Sequence, residues 1–236
     1  MADLSALSPA ERRELHALLE LKDRHRVENR IKFYKPYQKQ KDFHKAGAGN
    51  SERLLIAGNQ LGKSVAGAAE WAIHLTGRYP DWWEGAEFTK PVTMWASGVT
   101  SEGTRDNPQR LLVGPPSVEE MWGTGMIPKD ALKGCGRAIG VANLLDNVTV
   151  QWGGGGDVQA GVSILGFKSY EKGREKWQGP TLDGVWFDEE CQLDIYTEGL
   201  TRTNNGQLGQ FAIMTFTPLL GMSDVVGLFL SPETTT

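Results

Sequence analysis

Two stretches of this 236-residue chain carry side chains whose types and spacing can do chemistry together. The first is Arg53-Leu-Leu-Ile-Ala-Gly-Asn-Gln-Leu-Gly-Lys-Ser64. Its apolar run, Leu54 to Ala57, reads as a buried strand, and Val65 to Ile73 reads as a helix rich in small residues. Between them Gly58, Asn59, Gln60, Leu61 and Gly62 lead into Lys63 and Ser64, the layout of a phosphate-binding loop. Backbone N–H groups at a helix N-terminus face an anion, and Gly62 lets the backbone approach it without a Cβ. Lys63 is placed to reach the β- and γ-phosphates of ATP, and the Ser64 hydroxyl to ligate Mg²⁺. The full pattern has Gly five residues before Gly62, where this chain has Ala57. Either the loop is one residue tighter and starts at Gly58, or Ala57 serves as its first small residue.

The second stretch is Leu182-Asp-Gly-Val-Trp-Phe-Asp-Glu-Glu190, an apolar strand ending in three acids. Adjacent carboxylates repel one another, and a bound cation relieves that repulsion. The carboxyl ends of strands are also where open α/β sheets bind ligands. Asp188 is therefore assigned to Mg²⁺ and Glu189 to polarising an attacking water, with Glu190 solvated or structural. An acidic strand-to-helix turn without function is the competing reading.

Two further segments bear on the same chemistry. Upstream, Tyr37 and Gln40 lie shortly before the loop, where a ring can cover adenine and an amide can pair with its edge. A helix begun by Pro36, with a solvated Gln40 and core aromatics, accounts for the same residues. Downstream, Gly209 to Thr217 is a third apolar strand that ends polar, where the Thr217 hydroxyl can sense the γ-phosphate; a strand ended by Pro218 without function is the alternative.

These side chains need a framework, and the rest of the chain supplies it. Pro91 to Ser97 reads as another buried strand, and Ser101 to Leu112 as a helix bringing in Arg105 and Arg110. Val148–Trp152 and Val162–Phe167 form a hairpin around Gly153-Gly-Gly-Gly-Asp157, which lacks the Lys-Ser and following helix of a phosphate cradle. Tyr79 to Gly85 is an aromatic turn packed over the sheet, and Gly114 to Gly140 is loop-rich. At the start, Ser8-Pro9-Ala10-Glu11 is a capping box opening a charged helix to about residue 30, with a narrow stripe at Leu15, Leu18, Leu19 and Val27. That helix is expected to lie across the body or against a partner.

Composition narrows the class. Apolar content of 39% and charged content of 23% fit an ordinary globular protein. No run reaches the roughly 18 apolar residues of a membrane span, and the N-terminus has no secretory core. Cys135 and Cys191 are too few for a disulfide framework, and no Cys/His spacing points to zinc. The net charge of −4 hides an asymmetry: residues 1–50 carry 11 Lys/Arg against 7 Asp/Glu, and the remainder 14 against 22. Any nucleic-acid contact is therefore local and salt-sensitive.

Taken in order, Gly58-Asn-Gln-Leu-Gly-Lys-Ser64, Tyr170-Glu-Lys-Gly-Arg-Glu-Lys-Trp-Gln-Gly179, Val185-Trp-Phe-Asp-Glu189 and Thr215-Phe-Thr-Pro218, with Tyr37 and Gln40 upstream, resemble the N-terminal ATPase domain of tailed-bacteriophage terminase large subunits. The resemblance implies an α/β, RecA-like P-loop NTPase with a mainly parallel central sheet flanked by helices and an antiparallel edge hairpin. It implies a helical segment over 1–32 and the ATPase domain over 33–236. It further implies ATP-driven movement of double-stranded DNA into a procapsid in the host cytoplasm, by a homo-oligomeric ring working with a portal protein and a small terminase subunit, with no membrane partner. Thr215 to Pro218 would couple hydrolysis to movement, and Arg174, or else Arg202, would complete a neighbour's site; a surface salt bridge explains either arginine equally well.

Two departures stand out. Asn59 occupies a place in the loop where many relatives carry a basic residue, and with Ser231-Pro-Glu-Thr-Thr-Thr236 as its last residues the chain is expected to lack the family's nuclease domain. The competing functions are another RecA-like nucleic-acid motor, such as a helicase, and a nucleotide-binding assembly module that does not hydrolyse.

Overall fold

The computed structural model describes residues 8–153, 160–217 and 224–230. A seven-stranded sheet in the order β1-β7-β6-β2-β5-β4-β3 forms its centre. The strands are β1 (Glu52–Ile56), β2 (Thr93–Gly98), β3 (Leu132–Arg137), β4 (Leu145–Trp152), β5 (Gly161–Ser169), β6 (Gly184–Asp188) and β7 (Ala212–Phe216). The β1, β7, β6, β2 and β5 strands pair in parallel, while β4 pairs antiparallel with both β5 and β3. The expected hairpin is thus β4–β5; its turn over 154–159, with most of the glycine run, lies outside the described residues. Within the stretch read as loop-rich the structure adds β3. That strand carries Gly134 and Gly136, has irregular register, and forms because β4 offers it a free edge.

The central strands read as unbroken apolar runs because helices cover both of their faces. On β6, Trp186 joins the core cluster under α3 (Lys63–Thr76), while Val185 and Phe187 join the cluster on the opposite face with α6 (Leu193–Thr203). On β7, Ile213 faces α3 and Ala212, Met214 and Phe216 face α6. The period-two alternation of a strand thus survives even where every side chain is buried.

Every α3 residue from Ala66 to Thr76 is buried, and the small residues Ala66, Gly67, Ala68, Ala69 and Ala72 let the helix sit close to the sheet. Burial all round forces its two titratable groups to find partners. Arg53 donates to Glu70 from Nη2 (2.6 Å) and Nη1 (3.2 Å), and His44 Nδ1 lies 2.7 Å from the same carboxylate. His74 stands 3.6 Å away. Burial alone would raise the Glu70 carboxyl, but Arg53 and the two histidines outweigh it and hold it well below its ordinary value. The aromatic turn after α3 packs here as expected: Tyr79, Trp82 and Trp83 lie against this core.

The capping box is present at the start of α1 (Pro9–Glu28), where Glu11 N–H donates to Ser8 Oγ at 3.3 Å and Ser8 N–H to the Glu11 carboxylate at 2.7 Å. No residue of α1 is buried, and Leu18, Leu19 and Leu21 are at least half exposed. The helix does not lie across the body along its length; Glu28 at its end meets Lys129 at 3.0 Å. Among the described residues no helix is long and apolar enough to cross a membrane.

Candidate functional site

β1 ends at Ile56 and α3 begins at Lys63, so Ala57 to Gly62 connect them. Gly62 caps α3 in the left-handed region at φ 76°, and a Cβ there would stand 3.0 Å from Gln40 Nε2. Gln60 is also left-handed, at φ 60°. Lys63 Nζ reaches back across the loop to donate to the Gly58 carbonyl at 2.8 Å. Leu61 is exposed, and the Asn59 side chain accepts a hydrogen bond from Thr217 at 3.0 Å.

The two distant stretches meet. Ser64 Oγ donates to Asp188 Oδ1 at 2.7 Å, across 124 positions of sequence. The sheet order explains how: β7 lies between β1 and β6, and the register sets Thr215 beside both Leu55 and Asp188. Thr215 Oγ1 donates to Asp188 Oδ1 at 2.8 Å while accepting from Trp186 Nε1 at 2.8 Å. Asn107 Nδ2 donates to the other carboxylate oxygen, Asp188 Oδ2, and lies 3.4 Å from Ser64 Oγ. Burial pushes the Asp188 carboxyl up to about 6, against the lowering by Ser64, Thr215 and Asn107 and with the help of Glu189.

Glu189 follows at the point where the strand turns, with a left-handed φ of 68°, a conformation that costs a non-glycine residue of order 1 kcal/mol or more. Both sides of its peptide are pinned: its N–H donates to Thr215 O at 2.8 Å, and its carbonyl accepts from the Tyr170 hydroxyl at 3.0 Å. Burial raises the Glu190 carboxyl, and its Oε1 has no hydrogen-bond partner among the described residues.

The adenine-side residues are close but differently employed. Gln40 is buried, accepts from Tyr37 N–H at 2.9 Å and donates to Gly62 O at 2.9 Å. Its amide therefore braces the loop and closes the first turn of α2 (Gln38–Ala46), which leaves one N–H and one oxygen lone pair uncommitted. Tyr37 is 69% exposed beside Gly62. Arg174 and Arg202 both bind one carboxylate: Arg174 Nε and Nη2 stand 3.0 Å from Glu198 Oε2, and Arg202 Nη2 3.0 Å from Oε1. Arg202 also donates to Gly179 O at 3.2 Å, before β6 begins, whereas Asp188 ends that strand. Pro218 lies outside the described residues.

Sequence reasoning did not single out Asn107, Tyr170 or Thr215 as groups around Asp188. The polar end of the third strand was the available signal for Thr215, and Tyr170 opens a segment that carries the resemblance; nothing local marks Asn107. Among the described residues no three His, Cys, Asp or Glu side chains cluster as metal ligands. A hydroxyl and one carboxylate, all hard oxygen, suit Mg²⁺, which takes one or two protein groups and completes its shell with phosphates and water.

A mostly parallel α/β sheet with this loop between its first strand and a buried helix, and an acid across one intervening strand, defines a P-loop NTPase fold. The chain belongs to the terminase large subunit family: the profile described as terminase large subunit, T4likevirus-type, N-terminal, matches residues 54–233. The terminase large subunit of Salmonella phage P22 is 45% identical over 97% of this chain, and that of Enterobacteria phage LP7 is 28% identical over 97%. These alignments take in 48% and 50% of the relatives, so the chain spans about half their length. The Thermus phage P74-26 large terminase ATPase domain superposes with a TM-score of 0.54 at 18% identity, over 82% of this chain and 69% of that one. The HK97 bacteriophage large terminase gives 0.50 at 13% identity, over 78% and 33%. At such identities these two likenesses establish the fold.

Proposed function

We propose that this chain is the ATP-hydrolysing part of a DNA-packaging motor. The observation that carries the reading is the Ser64–Asp188 hydrogen bond, which makes one site from the loop and the acidic strand end. In this reading the loop amides of Gly58 to Gly62 and the Lys63 ammonium bind the phosphates of ATP, Lys63 giving up its contact with Gly58 O. Ser64 and Asp188 hold Mg²⁺, which supplies neutralisation of the phosphate oxygens. Glu189 orients the attacking water, its backbone fixed by Thr215 and Tyr170. Tyr37 covers the base, and Gln40 supports the loop from behind. Thr217, on Asn59, and Thr215, on Asp188, link the site to the chain beyond β7.

Phosphoryl transfer asks the protein for positioning and charge rather than covalent chemistry, and this set supplies both. The family supports the larger assignment: a ring on a portal protein, recruited with a small subunit, driving double-stranded DNA into a procapsid in the host cytoplasm. Arg174 is the first candidate for the arginine that acts on a neighbour's site and Arg202 the second; either must leave Glu198 to do so.

Phosphate release and binding of a fluorescent ATP analogue, measured together, test the assignment. Lys63→Ala is expected to lose binding and turnover, and Glu189→Ala to retain binding while losing turnover. Full hydrolysis by either variant overturns it. Tight binding by wild type with no phosphate release, even in DNA- and portal-bound rings, moves the chain to a nucleotide-ordered assembly module.

A further inference from the structure

The helix after β2 is irregular in a way that serves the site. It runs from α4 (Ser101–Thr104) through a π segment (Arg105–Gln109) to α5 (Arg110–Leu112). π geometry is rare and concentrates at functional sites. Here it has a local cause: Pro108, inside the helix, has no N–H for the Thr104 carbonyl, and its ring crowds that turn. Arg110 N–H reaches back to the Arg105 carbonyl instead.

Both ends of the widened turn are fastened. Thr104 Oγ1 donates to Lys168 O at 3.0 Å, and Gln109 accepts from Leu145 N–H at 2.8 Å while donating to Asn143 O at 2.8 Å. Between these anchors the extra residue per turn carries Asn107 to the acid. Its amide meets Asp188 Oδ2 and approaches Ser64 Oγ, two atoms of the site itself. The opposite oxygen, Oδ1, takes the Ser64 and Thr215 hydroxyls. Asp188 is thereby held from three elements, α3, β7 and the π turn, and the π turn alone grips Oδ2 among the hydrogen bonds described.

We propose that Asn107 is a positioning residue for the metal-binding pair Ser64 and Asp188, delivered by the Pro108 π turn and locked in place by Gln109. This rests on the Mg²⁺–ATP reading of the site. A carboxylate that rotates freely presents a divalent cation with a changing target; an amide fixed on one oxygen sets the direction of the other. Groups that orient a metal ligand in this way are worth 10- to 100-fold in metal affinity. Asn107 is half-buried, so truncating it leaves the core intact.

The test is a titration of fluorescent ATP-analogue binding with Mg²⁺, alongside the affinity in EDTA and the melting temperature. For Asn107→Ala the Mg²⁺ concentration at half-effect is expected to rise about 10-fold or more. Affinity in EDTA is expected to stay within about twofold and melting to stay near wild type, because the loop that binds the phosphates is untouched. An unchanged Mg²⁺ requirement overturns the proposal. So does a parallel fall in melting temperature and in both affinities, which marks a structural role. Wild-type binding that ignores Mg²⁺ removes the underlying site reading instead, which keeps the two failures apart.

Discussion

Replacing Gly67 by Ala sets two known effects against each other inside the helix that carries Lys63 and Ser64. In a helix interior Ala is favoured over Gly by about 1 kcal/mol. Yet a Cβ at position 67 would lie 2.6 Å from Trp186 Cε2 and 2.8 Å from Cζ2 and Nε1. Ordinary carbon contacts are about 3.5–4.0 Å, so helix and ring must separate by about 1 Å. The ring cannot yield easily: Trp186 is fully buried, its N–H is bonded to Thr215, and Trp71 packs against it with centroids 6.2 Å apart. Overpacking of this kind costs about 1–3 kcal/mol, leaving a net destabilisation of about 0–2 kcal/mol. For a chain of this size each kcal/mol lowers the melting temperature by about 2–4 °C.

The larger effect of that substitution falls on turnover. Ser64 sits one turn before Gly67 and Trp186 two residues before Asp188, so the strain lies between the two halves of the site. A misplacement of about 1 Å can cost 100-fold in rate. Calorimetry and phosphate release well below the melting temperature read both quantities, with Gly49→Ala as control, since a Cβ there meets nothing within 4 Å. A Gly67→Ala protein that melts at or above wild type and hydrolyses normally refutes the packing argument.

Two further outcomes concern the buried quartet beneath α3. Glu70→Ala leaves the Arg53 guanidinium buried without its partner and is expected to cost about 3–5 kcal/mol in urea unfolding; a loss under 1 kcal/mol would show that Arg53 re-solvates. Stability should also fall on the acid side. Burial lowers His74 from its ordinary 6.5, so its contribution is present above that value and is lost as pH drops below it. Glu70 lies well below its ordinary 4.5, so its contribution is in full above 4.5 and is lost as pH falls through its folded value. Asp188, pushed up to about 6, acts in the opposite direction, so the urea midpoints are best followed in Asp188→Asn. A midpoint that stays flat from pH 7 to pH 4 in that background would contradict the His74 assignment, and one that stays flat below pH 4.5 the Glu70 assignment.

Much of the fold was legible because its signals are local. Gly62-Lys63-Ser64 between an apolar run and a helix, and Asp188 at the end of another run, mark their own positions on the strands. What the chain does not display locally is the order of those strands. β7, the last of them, slides between β1 and β6, and only that placement brings Thr215 to Asp188. Asn107 was hidden for a related reason: its importance comes from a π turn clamped by Gln109 to a strand 36 residues away. β3 was missed because Gly134 and Gly136 weaken its pattern, and pairing with β4 overrides that weakness. Glu70 looks like a solvent-facing charge by type; its burial follows from Arg53 and His44, whose approach no spacing rule predicts.

The insertion of β7 has a mechanical consequence. Thr215 grips the acid and Thr217, two residues on, grips the loop at Asn59. Side chains two apart emerge on the same side of an extended backbone, about 7 Å from each other. Sliding that backbone by one residue would withdraw both hydroxyls at once, because every side chain then changes face. Both contacts therefore depend on the single register in which β7 lies between β1 and β6.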